Sequence, residues 1–278
     1  MEQVPEPAGA GDDAARVVAL VEALGIKYGL ERSFKVSRGK LLSDRVLIGF
    51  RKERIGGDAD AAVLRLCERL SMPRALLAVY RERLPDAQYV HFGFERSDQR
   101  GVLKAYLEFY EKVQAEMHAQ PGPHLMHLGF KWMQGGAQPL TTRYEWYPAL
   151  AVDDMRARVA RILGSSEPPA APMEIADAVL AQAARKVRAS DIFYLDVSEE
   201  GNPRRSFDIN VYRARLRMEE LAPALSQVCR RYGVERTFAG LYHRMRGNIF
   251  GHIAGGIDRQ GEDFVTAYYG LEYRQPRR

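Results

Sequence analysis

Five times along the chain, two short runs that alternate apolar and polar residues are joined by a polar turn. A period of two with one apolar face is the mark of half-buried strands, and the paired spacing makes them hairpins. The pairs span residues 33–53, 87–113, 124–150, 190–216 and 248–274, turning in the last four at ERSDQRG, QGGAQP, EEGNP and DRQGED. Between them lie stretches with apolar residues at three- and four-residue spacing: 13–29, 58–84, 152–164, 173–188 and 217–232, the last accommodating Pro223 near its start. SSEPPAAP (165–172) is a helix-to-helix loop, because the helical pattern resumes after it. The expectation is an α+β chain with a loose acidic tail over 1–12 and one domain over 13–278.

Ten mostly antiparallel strands need two packed sheets or closure into a barrel. In the second hairpin Val90, Phe92 and Phe94 alternate with His91, Gly93 and Glu95, and Leu103, Ala105 and Leu107 with Lys104, Tyr106 and Glu108. Helices with apolar stripes must cover the apolar face. A ten-stranded antiparallel barrel ringed by helices leaves the polar face lining a lumen. That face is expected to carry Arg51, Glu53, Lys104, Tyr106, His127, Lys131, Arg143, Glu145, Tyr147, Tyr194, Asp196, Asp208, Asn210, Tyr212, His252 and Tyr268.

Several cations in one cavity repel one another unless an anion compensates. A diphosphate would do so, and tyrosine faces would stabilise a developing carbocation. A solvated sheet face with cross-strand charge pairs would show the same alternation, and periodicity alone does not choose between the two. Composition removes other classes. With 46% apolar and 28% charged residues the chain is globular, and no apolar run is long enough for a membrane helix. A net charge of +5, spread along the chain, is too dilute for a nucleic-acid stripe. Cys67 and Cys229 read as buried thiols inside helices, which suits a reducing cytoplasm. Zinc-ligand spacings are missing, and His124 and His127, at i and i+3 on a strand, project to opposite faces, so no metal ligands are assigned. The glycines of GHIAGGIDRQG make room on a strand wall. Asp153 and Asp154 read as the N-terminal cap of a helix.

Segments such as LKAYLEF, INVYR and VTAYYG resemble the ABBA, or PT-barrel, aromatic prenyltransferases. More narrowly, VSRGKLLSDRVLIGF, HLGFKWMQGGAQPLTTRYEWYPAL and TAYYGLEY are similar to hairpins of the cyanobactin-type peptide prenyltransferases. The resemblance implies a monomeric cytoplasmic transferase that uses Mg²⁺ bound through the diphosphate. It would move a dimethylallyl or geranyl group onto a side chain of a ribosomally made, macrocyclic peptide, with neither nucleic acid nor membrane as partner. Arg51, Lys104, Lys131 and Arg143 would match the diphosphate-binding cations. Tyr106, Tyr147, Tyr194, Tyr212 and Tyr268 would match the tyrosine shield, with His252 near a family tryptophan that holds the isoprene tail. The family's general base, a glutamate after the first apolar strand, is displaced here to Glu53, with Asp196 as the leading reserve before Glu145 and Asp208. A PT barrel using a free aromatic small molecule, a non-catalytic ligand-binding barrel and a single-stranded RNA binder are the alternatives.

Overall fold

A computed structural model describes residues 12–97, 100–117, 122–133, 140–164 and 169–275. Its strands are β1 (Tyr28–Ser37), β2 (Lys40–Leu42), β3 (Arg45–Arg51), β4 (Tyr89–Ser97), β5 (Arg100–Glu108), β6 (His124–Trp132), β7 (Leu140–Trp146), β8 (Phe193–Glu199), β9 (Arg205–Asn210), β10 (Phe250–Ile257) and β11 (Asp263–Arg274). The α-helices are α1 (Asp12–Glu22), α2 (Ala59–Arg69), α3 (Arg74–Arg83), α4 (Tyr110–Glu116), α5 (Val152–Leu163), α6 (Ala171–Ala184), α7 (Ala222–Arg231) and α8 (Glu235–Met245). With β3 paired to β1 past the short β2, each remaining strand pairs with the next along the chain, and β11 pairs back onto β1, so ten strands close an antiparallel barrel. The short β2 extends one end of β1 and is not a stave. No helix among the described residues is long and apolar enough to cross a membrane.

The alternation drives closure because every strand has one face to hide. Phe50, Phe92, Phe94 and Phe130 point outward into a core shared with α1, α2 and α3. Phe34, Phe207, Ile209 and Ile253 point into a second core under α5–α8. In α6 the buried residues Ile175, Ala176, Val179, Leu180 and Ala183 form the stripe that sits on this sheet face. Cys67 and Cys229 are buried free thiols in α2 and α7, and burial pushes both up to about 12.

Among the described residues the elements depart from the sequence reading in three places. Residues 1–11 of the expected tail and the QGGAQP turn at 134–139 lie outside the described residues. The first helix stops at Glu22, with Gly25 at φ +69° beyond it, so β1 begins at Tyr28, well before residue 33. The helix expected from 217 starts at Ala222 after a 3₁₀ turn, with Pro223 in the first turn, where its missing N–H costs nothing. Asp153 and Asp154 are first-turn residues rather than caps; Ala151 holds the cap position, and Asp153 pairs with Arg156 at 2.8 Å.

Candidate active site

The lumen holds a cavity of about 560 Å³. Arg54, Arg213 and Tyr273, all exposed, line one end, and the buried Arg45 and Lys104 line the other. Between them the strand parity sets successive levels of side chains. Large residues fit because glycines on the same face give way. A Cβ at Gly49 would run into the His91 ring, one at Gly129 into Tyr106, and one at Gly251 into the Tyr212 hydroxyl and Glu31. Gly251→Ala should therefore displace Tyr212 and Glu31 and cost about 1–3 kcal/mol, read as a lower denaturant midpoint at unchanged slope.

The buried end gathers cations around two carboxylates. Lys104 and Arg45 both hold Glu95, and the Arg45 Nε donates to Ser33 Oγ at 3.0 Å. Glu199, wholly buried, meets Lys131 Nζ at 3.2 Å, Arg204 Nη1 at 2.5 Å and Arg259 Nε at 2.9 Å. With Lys35, six cations face Glu95, Glu199 and the marginal Asp258 among the described residues. Burial and neighbouring cations lower Lys104 to about 8, with Arg45 and Lys35 adding repulsion against the pull of Glu95. Burial, Arg204 and Lys104 push Lys131 well below an ordinary lysine. Burial opposes the charge on Glu199, but its three cations hold it down to about 2. Cations in this state gain from any anion that joins them. Glu95 and Glu199 are each held by two or more cations, so neither is a free donor for a protein-bound Mg²⁺ ion.

Next along the lumen comes a belt of phenols: Tyr106 and Tyr144, edge to face at 6.0 Å, and Tyr268. Burial raises all three, so they are neutral rings and hydroxyl donors. Tyr268 stacks on His252 at 3.8 Å with 12° between the planes. His252 bridges two carboxylates, Nδ1 to Asp208 Oδ2 at 2.8 Å and Nε2 to Glu31 Oε2 at 3.5 Å. The Tyr212 hydroxyl donates to Glu31. Burial disfavours the imidazolium, but Asp208 and Glu31 outweigh it and raise His252 from 6.5 to about 10. Because the folded value lies above the unfolded one, this stabilisation is complete below about pH 6.5 and lost as pH climbs through about 10. Unfolding free energy should fall across that interval, and His252→Gln should flatten this part of a pH series of denaturant titrations.

Toward the exposed end, His91 Nε2 lies 2.8 Å from Glu108 Oε2, and His127 Nδ1 faces the same oxygen at 3.9 Å. Burial lowers His127. These three residues could hold a metal ion. No short sequence spacing marks this group, because its ligand types come from three adjacent strands.

Of the residues expected in the lumen, Lys104, Lys131, Tyr106, Tyr212, His252 and Tyr268 are brought together, with Asp208 and Asn210 beside them. Arg51 lines the opposite, exposed end of the cavity. It lies six residues along β3 from Arg45, about 20 Å at the rise of a strand, and pairs with Glu53 and Glu111. Glu53 lies in a 3₁₀ turn beyond β3 with its side chain 66% exposed. Arg143 and Glu145 face outward, because the lumenal parity of β7 is Thr142, Tyr144 and Trp146. On β8, Phe193, Leu195, Val197 and Glu199 face in. Tyr194, Asp196 and Tyr147 therefore sit outside the barrel, where Arg158 of α5 pairs with Asp196 and lies 3.5 Å over the Tyr147 ring. The expected polarity fails here because the outer face of β7 meets solvent and Arg158 of α5 pairs with Asp196 outside, while the inner face mixes Phe193, Leu195 and Val197 with Tyr144 and Glu199.

Glu31, Ser33, Lys35, Arg45, Tyr144, Glu199 and Arg204 were not among the expected site residues. Arg45 shares the parity that singled out Arg51, and Glu31 carries the parity of β1 once that strand starts at Tyr28.

No protein-family model matches the sequence, and no curated protein matches it either. Solved structures do match the fold. NotF prenyltransferase superposes over 87% of this chain and 80% of its own, with a TM-score of 0.54 at 13% identity. The 5-dimethylallyl tryptophan synthase from Streptomyces coelicolor, in complex with DMASPP and Trp, gives 0.55 at 15% identity over 87% and 78%. The 6-dimethylallyltryptophan synthase from Micromonospora olivasterospora, also in complex with DMASPP and Trp, gives 0.55 at 15% over 87% and 81%. The fold is the PT barrel of the ABBA prenyltransferases.

Proposed function

We propose that the chain transfers an isoprenyl group from its allylic diphosphate to a small aromatic acceptor held in the lumen. The observation that carries this is the cation-rich buried end lying directly against a belt of neutral tyrosines in one cavity. Arg45 and Lys104, backed by Lys131 and Arg204, would hold the diphosphate oxygens and take up the charge released when the carbon–oxygen bond ionises. The electron pair of that bond leaves with the diphosphate. Tyr106, Tyr144 and Tyr268 would present π faces to the allylic cation and keep water from it. The acceptor's ring carbon or heteroatom attacks the cation, and its proton passes to Glu31; with Asp208 and the His252 imidazolium the wall is net negative before that transfer and neutral after it.

A cavity of about 560 Å³ suits a donor and a compact aromatic partner. The Phe193 and Leu195 side chains give that partner an apolar wall. DMASPP and Trp in the two tryptophan synthases are a donor and acceptor of this size. The peptide acceptor of the cyanobactin-type enzymes rests on sequence motifs alone and takes second place. Mass spectrometry after incubation with dimethylallyl or geranyl diphosphate tests both, using tryptophan, tyrosine, cyclic dipeptides and macrocyclic peptides as acceptors. Gain of one isoprenyl unit by the small aromatics is expected. Adducts confined to peptides would reassign the acceptor, and no adduct together with no calorimetric binding of either diphosphate would overturn prenyl transfer.

A further inference from the structure

We propose that His91, Glu108 and His127 form a binding site for one divalent first-row transition metal ion in the lumen wall, on the exposed side of the tyrosine belt. Two imidazoles and one carboxylate are a recurrent donor set for such ions when they leave coordination positions open. The three residues come from neighbouring strands β4, β5 and β6, and Glu108 sits directly opposite His127. Their ligand atoms all lie within 4.8 Å of one another. An ion about 2.0–2.2 Å from each donor separates the donors by about 3–3.5 Å. His91 and Glu108 are already at 2.8 Å, and rotation of His127 supplies the rest.

That rotation breaks little. His127 makes no hydrogen bond among the described residues; its ring rests edge-on against Tyr144 at 5.8 Å and His91 at 6.2 Å. The His91 ring occupies the space that Gly49 leaves, where any Cβ would collide with it. A simple charge pair with Glu108 needs one histidine, and the wall aims two at the same oxygen. Glu108 supplies the negative charge of the site itself, while Glu31 and Asp208 are engaged by His252, and Arg51, Arg54 and Arg213 line the exposed end of the cavity. The open positions face the cavity, where an oxygen or nitrogen donor of a bound molecule can complete the coordination. The site stands on its own geometry, and only the identity of that molecule rests on the prenyl-transfer reading.

Titration of tag-free, chelator-treated protein with Co²⁺, followed by visible d–d absorption and competition with Zn²⁺, tests the proposal without turnover. One equivalent of Co²⁺ per chain, displaced by Zn²⁺, is expected. His91→Ala, His127→Ala and Glu108→Gln should each weaken binding by more than about 10-fold while keeping the wild-type circular dichroism. Absence of saturable binding by the wild-type chain would overturn the site. So would unchanged affinity in a folded His91→Ala/His127→Ala double variant, which would put the ion elsewhere.

Discussion

Replacing Lys104 with methionine is expected to leave the ligand-free barrel as stable as before, within about 1 kcal/mol, while lowering turnover by about 10²–10³-fold. Removing one member of a buried ion pair ordinarily destabilises, because the partner charge is stranded. Here Glu95 keeps Arg45, and the lysine removed is one whose charge is already disfavoured by burial, Arg45 and Lys35. Methionine keeps the length and apolar volume of the stem. The cost appears when the anion arrives, since one of its donors is gone. Thermal melts with and without geranyl diphosphate separate the two effects. The wild-type chain should gain stability with the ligand and Lys104→Met should gain far less, at similar ligand-free melting temperatures. A lysine on a solvated face would move neither quantity.

Glu31→Gln should reduce kcat by about 10²–10⁴-fold with the affinity for diphosphate unchanged, the range for loss of a positioned general base. Glutamine still accepts the Tyr212 hydroxyl's hydrogen bond, so the wall is preserved and the carboxylate's proton affinity is what disappears. Glu53→Gln is the control: its exposed side chain at the rim of the barrel predicts a wild-type rate. Equal losses in both variants would remove Glu31 from the reaction.

The hairpins, the intervening helices and an inward polar face could be read from alternation, because burial of one strand face imposes it. The errors cluster where that rule meets an exception. On β7 and β8 both faces carry polar residues, because the outer face of β7 is wet and Arg158 pairs with Asp196 outside, so polarity points Arg143, Tyr147, Tyr194 and Asp196 inward although they lie outside. Arg51 and Arg45 share a face, and parity cannot say which end of a strand an anion would occupy; only the convergence of Lys104, Lys131 and Arg204 from other strands does. Glu31 falls between a helix that the periodicity carries two residues into the strand and a hairpin that the alternation starts only at residue 33. The His91–Glu108–His127 group depends on register between β4, β5 and β6, which no local pattern contains.

The seam between β1 and β11 joins residues 240 positions apart, as in the Arg32–Glu272 pair. During synthesis β1 emerges first and β11 last among the staves, so β1 spends the whole interval as an open edge able to template other chains. Contacts this distant in sequence form late and slowly. Yield in the cell should therefore depend on how long nascent chains are shielded. A chain halted before Asp263 would present two sticky edges, β1 and β10, at once, and a chaperone that masks strand edges would raise yield most for such unfinished molecules.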